Sequence, residues 1–370
     1  MGPLAPDLTR STTFAARNAE EFRAVGAGEL PGEFYPRYGH PAGRCFEGAV
    51  ASLEGADGAV AFASGMAALH GVLCGLLGRG DSVAAARELY GGTSALLELD
   101  LPRFGIDVRR FDARDLDDTR AVLSGGVRMV LVETPTNPLC RIVDLERVSS
   151  IAREFSCLSC VDATFAPPPL QRPIAHGFDL VMHSATKFLG GHSDCLGGVV
   201  SGPHELLERI ERFRRTTGGV MSADTAWMLL RSLRTLELRV RQASKTAERL
   251  ARFLEGRVEC IYYTGLESHP DHELARRQMD GFGSLLAFEV AGGLDGARRV
   301  FDRFEVIARA VSLGGTETVA LLPLYSSHAH VNDEDRARAG IRDGTIRLSV
   351  GLEHYETLES DLAAALTGSR

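Results

Sequence analysis

The sequence predicts an α/β protein built on a mainly parallel sheet. Between residues 41 and 235, short β-branched runs alternate with helical patterns, and such alternation favours a parallel sheet covered on both faces. A length of 370 residues is too great for one hydrophobic core, so we expect two domains. The 44% hydrophobic and 24% charged content are typical of a globular chain.

The predicted elements follow a regular order along the chain. The strands of the first part are GAVAFAS, DSVAAA, IDVRRFD, VRMVLVE, CLSCVDATF and DLVMHSA, with the helical MAALHGVLCGLL after the first. Residues 1–40 lack sustained periodicity and predict an irregular arm. We assign residues 41–235 to a large domain and 236–370 to a smaller C-terminal α/β domain, which begins with a helix whose apolar stripe leaves Lys245 on the solvated face.

Charge and hydropathy exclude two classes of partner. A net charge of -8 and a pI near 5.8 argue against nucleic acid, whose phosphates bind clustered cations. The apolar runs are far shorter than the roughly 20 residues that cross a bilayer. The N-terminal stretch does not resemble a signal peptide, so we expect a cytoplasmic protein with a small-molecule partner.

Seven cysteines suggest neither a disulfide framework nor a metal site. Cys157 and Cys160 form a CxxC, which in principle suits redox chemistry or zinc. The motif opens an apolar run that resembles a buried strand, and no second CxxC exists. We therefore interpret these cysteines as small core residues and predict no metal.

Candidate ligand-binding residues follow the predicted strands, since ligands of doubly wound sheets gather at the carboxyl ends of the strands. Ser64 is a plausible N-cap of the helix after GAVAFAS, and the turn at Gly65 suits a phosphate group. Asp162 ends another strand, where a buried carboxylate must find a donor or a cation. Most such turns are simply helix starts, and capping is the ordinary role for the aspartate.

Lys187 is the most informative of these residues. The chain has only two lysines, although Lys and Arg together number 41. Lys187 follows a predicted buried strand in the stretch HSATK, where desolvation lowers the pKa of an amine and favours imine formation with a carbonyl. An aldehyde, phosphate donors and a carboxylate for a ring nitrogen together describe pyridoxal phosphate (PLP).

The chain resembles the Cys/Met-metabolism family of PLP enzymes. The matching stretches are FYPRYGHP, ASGMAAL, ELYGGT, VETPTNPLCRIVDL, VDATFAPPPLQRPIAHGFDLVMHSATKFLGGHSD, GFGSLLAFEV, AVSLGGTET and IRLSVGLE. Their order and spacing cover nearly the whole chain. The resemblance implies the PLP-dependent transferase fold of type I, which is aspartate aminotransferase-like. It also implies a homo-oligomer, expected to be a tetramer built from dimers with shared active sites.

The resemblance also implies roles for individual residues. Lys187 would form the covalent link to the cofactor and move protons, while Asp162 would pair with the ring nitrogen. Tyr90 would stack on the ring and act as acid or base toward the leaving group. Phosphate ligands would be Gly65, Met66, Ser184 and Thr186. Tyr35 and Arg37 of the arm would reach the phosphate of a neighbouring subunit.

The substrate carboxylate would meet a buried arginine. By resemblance, Arg347 in IRLSVG would bind it bidentately, with Ser312 and Asn137 nearby. The ordinary alternative to this binding role, in a chain so rich in arginine, is a charged side chain on the surface. The apolar strand around Arg347 disfavours that alternative.

Several positions depart from the family pattern. Ala163 stands where the family usually has an asparagine. Gly92 stands where methionine γ-lyases have a cysteine, and Val311 stands where cystathionine-processing members have a glutamate. Near the arm, His40-Pro41-Ala42 stands where the family has GNPT, and residues 322–328 stand where the family has HPxxMTH. These changes favour a less polar distal group on the substrate.

We expect γ-elimination or γ-replacement on a γ-substituted L-amino acid. A halogenated or activated-oxygen substrate of specialised metabolism is one expectation for its identity. The alternative is β-elimination of a cystathionine-like or cysteine-like substrate. A nucleotide-binding or non-catalytic relative is disfavoured, because neither GxxxxGK[ST] nor a post-strand GxGxxG occurs.

Overall fold

Two β-sheets organise the chain. The computed structural model describes residues 4–329, 331 and 333–367. The strands are β1 (Gly58–Phe62), β2 (Ser82–Ala86), β3 (Asp107–Phe111), β4 (Met129–Glu133), β5 (Leu158–Asp162), β6 (Leu180–His183), β7 (Gly198–Gly202), β8 (Cys260–Tyr262), β9 (Leu285–Glu289), β10 (Ala308–Arg309), β11 (Val319–Leu321) and β12 (Thr345–Ser349). The helices are α1 (Ala19–Gly26), α2 (Pro41–Glu54), α3 (Gly65–Leu76), α4 (Gly91–Ala95), α5 (Leu116–Ser124), α6 (Leu145–Glu154), α7 (His204–Thr217), α8 (Ala223–Leu233), α9 (Leu236–Leu254), α10 (His272–Gln278), α11 (Gly293–Asp302), α12 (Asp333–Arg338) and α13 (Tyr355–Leu366).

The larger sheet has the strand order β1-β7-β6-β5-β4-β2-β3. Strands β6, β5, β4, β2 and β3 are mutually parallel, and β7 is antiparallel to both of its neighbours. Its central strands are buried on both faces, as expected for a sheet covered by helices. The predicted α/β class with a mainly parallel sheet is therefore confirmed.

The two faces of this sheet are packed by different helices. On one face, Val60 and Phe62 of β1 join a core that includes α3 and residues of α7. On the other face, Ala61 and Val199 pack with α2 and α8. This alternation follows from the two-residue period of a strand. The parallel pairing of β4 with β5 and of β5 with β6 sets their carboxyl ends side by side.

The smaller sheet has the order β10-β11-β12-β9-β8 and is antiparallel except between β10 and β11. Helices α9, α11 and α13 supply the rest of its core. Helix α9 buries Leu236, Val240 and Leu250 and leaves Lys245 exposed, as its predicted stripe requires. The two sheets lie on either side of residue 235 in the sequence, and the domain boundaries at 40 and 235 remain predictions.

The N-terminal arm is less irregular than predicted. It contains α1, which begins after Asn18, whose side chain accepts the N–H of Glu21. This capping and the acidic first turn stabilise a short helix without any long apolar period. The preceding residues lie along the chain's own surface, where the carbonyl of Pro6 accepts the indole N–H of Trp227 at 2.8 Å.

The cysteines of the CxxC are free and buried. Burial raises the pKa of Cys157 to about 12, and it raises the pKa of Cys160 as well. Among the described residues, no cluster of His, Cys, Asp or Glu suits a metal ion. No helix in the described part of the chain is long and apolar enough to span a membrane.

Candidate active site

Lys187 lies in the turn that follows β6, at the carboxyl edge of the large sheet. Its Nζ donates to the Oγ of Ser312 at 2.8 Å. Desolvation, reinforced by the charge of Arg347 and opposed by that of Asp162, lowers the pKa of Lys187 to about 8. The amine is thus neutral in about a tenth of molecules at pH 7, a far larger share than for an ordinary lysine, and the neutral form is suited to attack a carbonyl.

Asp162 ends β5, the strand beside β6, and is 8% exposed. Its Oδ1 accepts the backbone N–H of Thr164 at 3.0 Å. Burial raises the pKa of Asp162, while hydrogen bonding by Thr164 and the charges of His183 and Lys187 oppose the rise. The carboxyl group thus accepts a backbone N–H and lies within range of the charges of His183 and Lys187. Its role toward a ring nitrogen stays a prediction.

Arg347 enters the site from β12 of the smaller sheet and is buried. Its Nη1 donates to Oδ1 of Asn137 at 2.8 Å, and its Nη2 donates to the carbonyl of Ser312 at 2.6 Å. The Nε has no hydrogen-bond partner in the described part of the chain. Desolvation lowers the pKa of Arg347 to about 10, so the guanidinium stays charged near neutral pH.

The predicted trio of Arg347, Ser312 and Asn137 is thus brought together with Lys187. Ser312 links them, because its hydroxyl accepts from Lys187 while its carbonyl accepts from Arg347. Ser312 has a φ of 84°, which is uncommon for a residue other than glycine and marks a backbone held by its surroundings.

The turn before α3, which we call the anion cradle, is the phosphate site that the sequence predicts, and its contact with a phosphate stays a prediction. Ser64 caps the helix by accepting the N–H of Ala67, and its carbonyl accepts the N–H of Ala68. The N–H groups of Gly65 and Met66 have no intrahelical acceptor, because they precede the first complete turn. A Cβ on Gly65 would lie 2.8 Å from the Cβ of Ser184, so this turn directly faces the start of the lysine loop.

Ser184 and Thr186 have different surroundings. The N–H of Ser184 donates to Thr164 Oγ1, and the Ser184 side chain borders the anion cradle. The hydroxyl of Thr186 instead contacts Gly197, donating to its carbonyl at 3.2 Å and accepting its N–H at 3.1 Å. In this structure Thr186 holds the lysine loop against the approach to β7, and its predicted contact with a phosphate stays a prediction.

Tyr90 precedes α4 at the rim of the site and is 47% exposed. Its N–H donates to Oε2 of Glu133 at 2.7 Å. A Cβ on Gly92 would lie 2.5 Å from the Tyr90 ring and 3.2 Å from the Sδ of Met66. Because Gly92 has no side chain, the Tyr90 ring can lie close to α3, the helix that begins at the anion cradle.

A cavity of about 840 Å³ opens beside Tyr90. Its wall includes Asn137 and His328 from the site and the charged residues Glu88 and Arg114 further out. Lys187 and Asp162 are not among its described lining residues, and Asn137, which accepts a hydrogen bond from Arg347, joins this space to the site. Its volume is in the usual range for small-molecule sites.

Tyr35 and Arg37 lie elsewhere on the chain. The Nη1 of Arg37 donates to the carbonyl of Arg215 in α7 at 3.0 Å, and its guanidinium lies 5.5 Å from the Tyr35 ring centroid. Among the described residues, this pair has no hydrogen bond or ring contact with Lys187, Asp162 or Ser184. Their role toward a neighbouring subunit stays a prediction.

Two residues of the site escaped the sequence reasoning. Glu133 ends β4 beside Asp162, and its signal was its place at a strand end inside VETPTNP. Gly198 begins β7, and a Cβ there would lie 2.2 Å from the carbonyl oxygen of Ser64. This glycine permits the close approach of the cradle to the sheet, and it looked like an ordinary strand glycine.

The fold and the lysine-centred site define a class of protein, a PLP-dependent enzyme. A family model described as "Cys/Met metabolism PLP-dependent enzyme" matches residues 1–367. The O-succinylhomoserine sulfhydrylase of Pseudomonas aeruginosa is 41% identical, over 97% of this chain and 90% of that protein. The L-methionine gamma-lyase of Pseudomonas putida is 40% identical, over 100% of this chain and 94% of that protein.

A solved structure agrees with these relatives. The crystal structure of cystathionine gamma synthase from Xanthomonas oryzae pv. oryzae, in complex with aminoacrylate and cysteine, superposes with a TM-score of 0.94 at 36% identity. The match covers 99% of this chain and 93% of that one. The chain belongs to the Cys/Met metabolism family of PLP-dependent enzymes, and its fold is the PLP-dependent transferase fold of type I.

The residues present fit this cofactor. The turn at Gly65, packed so closely that neither Gly65 nor Gly198 has room for a Cβ, has backbone N–H groups that would donate to a phosphate. Lys187 would supply the amine for the aldehyde, and Asp162 would supply the buried carboxyl group for a ring nitrogen. When bound, the cofactor supplies an electron-withdrawing ring that makes the protons of a linked amino acid acidic.

Proposed function

We propose that this enzyme catalyses elimination or replacement at Cγ of a γ-substituted L-amino acid. The observation that carries the proposal is the position of the Lys187 amine, which bonds Ser312 at 2.8 Å between Asp162 and the buried Arg347. The names of the two curated relatives support it, since one is a sulfhydrylase of a substituted homoserine and the other a γ-lyase.

Arg347 is proposed to bind the α-carboxylate of the substrate. Each Nη carries a second hydrogen beyond those given to Asn137 and Ser312, and the Nε has no partner among the described residues. A carboxylate there satisfies the guanidinium in the bidentate geometry that arginine prefers. The substrate Cα then lies on the side where Ser312 holds the lysine amine.

Lys187 is proposed to move the protons. Loss of a γ-group requires removal of a proton from Cα and then of a second from Cβ, whereas loss of a β-group requires only the first. With a pKa near 8, the amine accepts a proton readily and returns it readily, as general base catalysis requires. Tyr90 is proposed to stack on the cofactor ring and to protonate a departing group that needs assistance.

The substrate side supports a distal group of low polarity. Val311 is 70% exposed beside Ser312, and Gly92 adds no side chain next to Tyr90. The relatives lend no support to a halogenated or otherwise unusual substrate of specialised metabolism. An ordinary γ-substituted amino acid of cysteine and methionine metabolism is the substrate class that we propose.

Turnover in deuterated water tests the proposal. A γ-substituted amino acid such as O-succinylhomoserine is supplied with and without a thiol, and the label is located by mass spectrometry and NMR. The γ-route breaks a Cβ–H bond, so deuterium is expected at the former Cβ of the product or at Cβ of recovered substrate. A screen in which only β-substituted amino acids react rejects the proposal in favour of β-elimination.

A further inference from the structure

A second carboxyl group lies beside Asp162. Glu133 ends β4, and it pairs in register with Asp162 at the end of β5. Residues in register on adjacent parallel strands share one face of the sheet. Both residues are buried, with 4% and 8% of their surface exposed.

The two carboxyl groups have unequal surroundings. Asp162 is near Lys187 and His183, whose interactions lower its pKa, and Thr164 donates to it. Glu133 meets the carboxylates of Asp162 and Glu88, and the groups that donate to it are neutral backbone N–H groups. Burial and the charge of Asp162 raise the pKa of Glu133 well above its usual range, as expected when two like charges share a dry site.

Glu133 also fixes the segment that carries Tyr90. Its Oε2 accepts the N–H of Tyr90 at 2.7 Å, at the residue that precedes α4. One carboxyl group therefore contacts the backbone of the stacking tyrosine and adjoins the strand position of the residue proposed to hold the ring nitrogen. The charged groups around it come from three further elements: Glu88 after β2, Asp162 on β5 and Arg347 on β12.

We propose that Glu133 is a positioning residue that acts as a neutral acid. In that form it leaves a single negative charge, on Asp162, to face the ring nitrogen of the cofactor, and it holds Tyr90 over the ring through the backbone. The inference rests on the proposed function, which places Asp162 and Tyr90 against the cofactor.

Two substitutions separate the charge of Glu133 from its contact with Tyr90. Glu133→Gln keeps the shape and an acceptor for the Tyr90 N–H but cannot ionise, whereas Glu133→Ala removes both. Glu289→Gln is the matched control, because Glu289 is also buried at a strand position but lies in the smaller sheet, bonded to Tyr262 and Arg342. The holoenzymes are compared by the pH titration of the visible absorption band, by the dissociation constant of PLP, and by kcat and KM.

We expect the absorption band of Glu133→Gln to titrate within about 0.3 pH unit of the wild type, because a neutral group replaces a neutral group. Glu133→Ala is expected to raise the dissociation constant of PLP about tenfold and to lower kcat more than it raises KM, as the loss of one buried hydrogen bond predicts. The control is expected to leave all three quantities unchanged. Should Glu133→Ala not fold, Glu133→Asp, which withdraws the carboxyl group from the Tyr90 N–H, is expected to weaken PLP binding in the same direction.

Two results overturn the inference. A fall of the titration midpoint by more than about 0.5 unit in Glu133→Gln means that an anion was removed, so Glu133 was ionised. Wild-type PLP affinity and kcat in the Ala or Asp variant mean that the contact with Tyr90 positions nothing. Lys187→Ala is measured in parallel. If this variant keeps a borohydride-reducible cofactor, the proposed function fails. If it loses that cofactor while a Glu133 variant gives one of the two results above, only the Glu133 inference is overturned.

Discussion

At the scale of single residues, the site depends on one amine in an arginine-rich chain. Lys187 is desolvated and bonded to Ser312, while Lys245, the other lysine, is exposed on α9. The first lies within the candidate site, and the second contacts solvent. Substitution of the two lysines therefore gives a matched comparison.

We expect Lys187→Ala to abolish turnover and to remove the cofactor that borohydride can fix to the chain. Lys245→Ala is expected to change kcat/KM by less than about twofold, because exposed positions away from a site contribute little. Mass spectrometry of the reduced, digested protein locates the fixed cofactor. Its presence on any peptide of the Lys187 variant would contradict the assignment.

The pKa of Lys187 predicts how cofactor uptake depends on pH. The neutral amine attacks the aldehyde, and its fraction grows as pH rises through the pKa. Because that pKa is about 8 rather than the ordinary 10.5, the rate at which apoenzyme gains its visible band is expected to rise with a midpoint near pH 8. Stopped-flow absorbance between pH 6.5 and 9.5 measures this rate. A rate still climbing steeply at the upper limit would point to an unperturbed lysine.

Arg347 predicts a loss of substrate recognition. In Arg347→Lys the charge remains, but the planar pair of donors and the bonds to Asn137 and Ser312 are lost. We expect kcat/KM to fall about 100-fold, since a charge-assisted bidentate contact contributes about 3 kcal/mol. Steady-state kinetics with the preferred substrate measure the change, and Arg342→Lys, at an exposed residue, serves as control.

At the scale of residues, the sequence pointed to the site residues whose proposed chemistry depends on the type of side chain. Lys187 and Asp162 stood out because a lysine and a carboxylate each followed an apolar run that predicted a buried strand. Glu133 did not stand out, because its importance comes from the register of β4 with β5, which pairs residues 29 positions apart. Thr186 illustrates a related limit, since only the folded loop brings Gly197 to its hydroxyl.

At the scale of elements, strand ends and one helix start build the site. The turn before α3 approaches β7 so closely that Gly198 has no room for a Cβ beside Ser64. Repetition of apolar runs predicted the strands, and the alternation with helices predicted their parallel order. The strand order and the antiparallel β7 depend on long-range pairing that no local pattern encodes.

Gly198→Ala is therefore expected to weaken PLP binding by at least about tenfold, because the Cβ must displace the Ser64 carbonyl and with it the anion cradle. Gly48→Ala is the matched control, since Gly48 lies on α2 with nothing within 4 Å of its Cβ position. There alanine is expected to stabilise the helix by about 1 kcal/mol. Equilibrium titration with PLP and thermal unfolding measure both effects. Unchanged PLP affinity in Gly198→Ala would argue that the cradle tolerates displacement.

At the scale of the whole molecule, the arm extends beyond the cores of both sheets. Tyr35 and Tyr38 are each 44% exposed, and Phe22 is 57% exposed. Exposed aromatic residues grouped in one segment are typical of a surface that meets another chain. Arg37 lies among them, where it donates to the carbonyl of Arg215 in its own α7 and places its guanidinium over the rings of Tyr35 and Tyr38.

We propose that each active site is shared between subunits. Tyr35 and Arg37 of one subunit contact the phosphate group of the cofactor that is bound to another subunit. A mixed dimer of Arg37→Ala and Lys187→Ala subunits then contains one site with both defects and one site with neither. Each variant alone is expected to be inactive or nearly so. When equal amounts exchange subunits freely, about half of the dimers are mixed, and one of the two sites in each mixed dimer is intact. Mixing is therefore expected to restore about a quarter of wild-type activity. Native mass spectrometry of differently tagged subunits measures the exchange. Pairing Lys187→Ala with Lys187→Ala of the other tag controls for any effect of the tags, and absence of recovery despite measured exchange would show that every site is complete within its own chain.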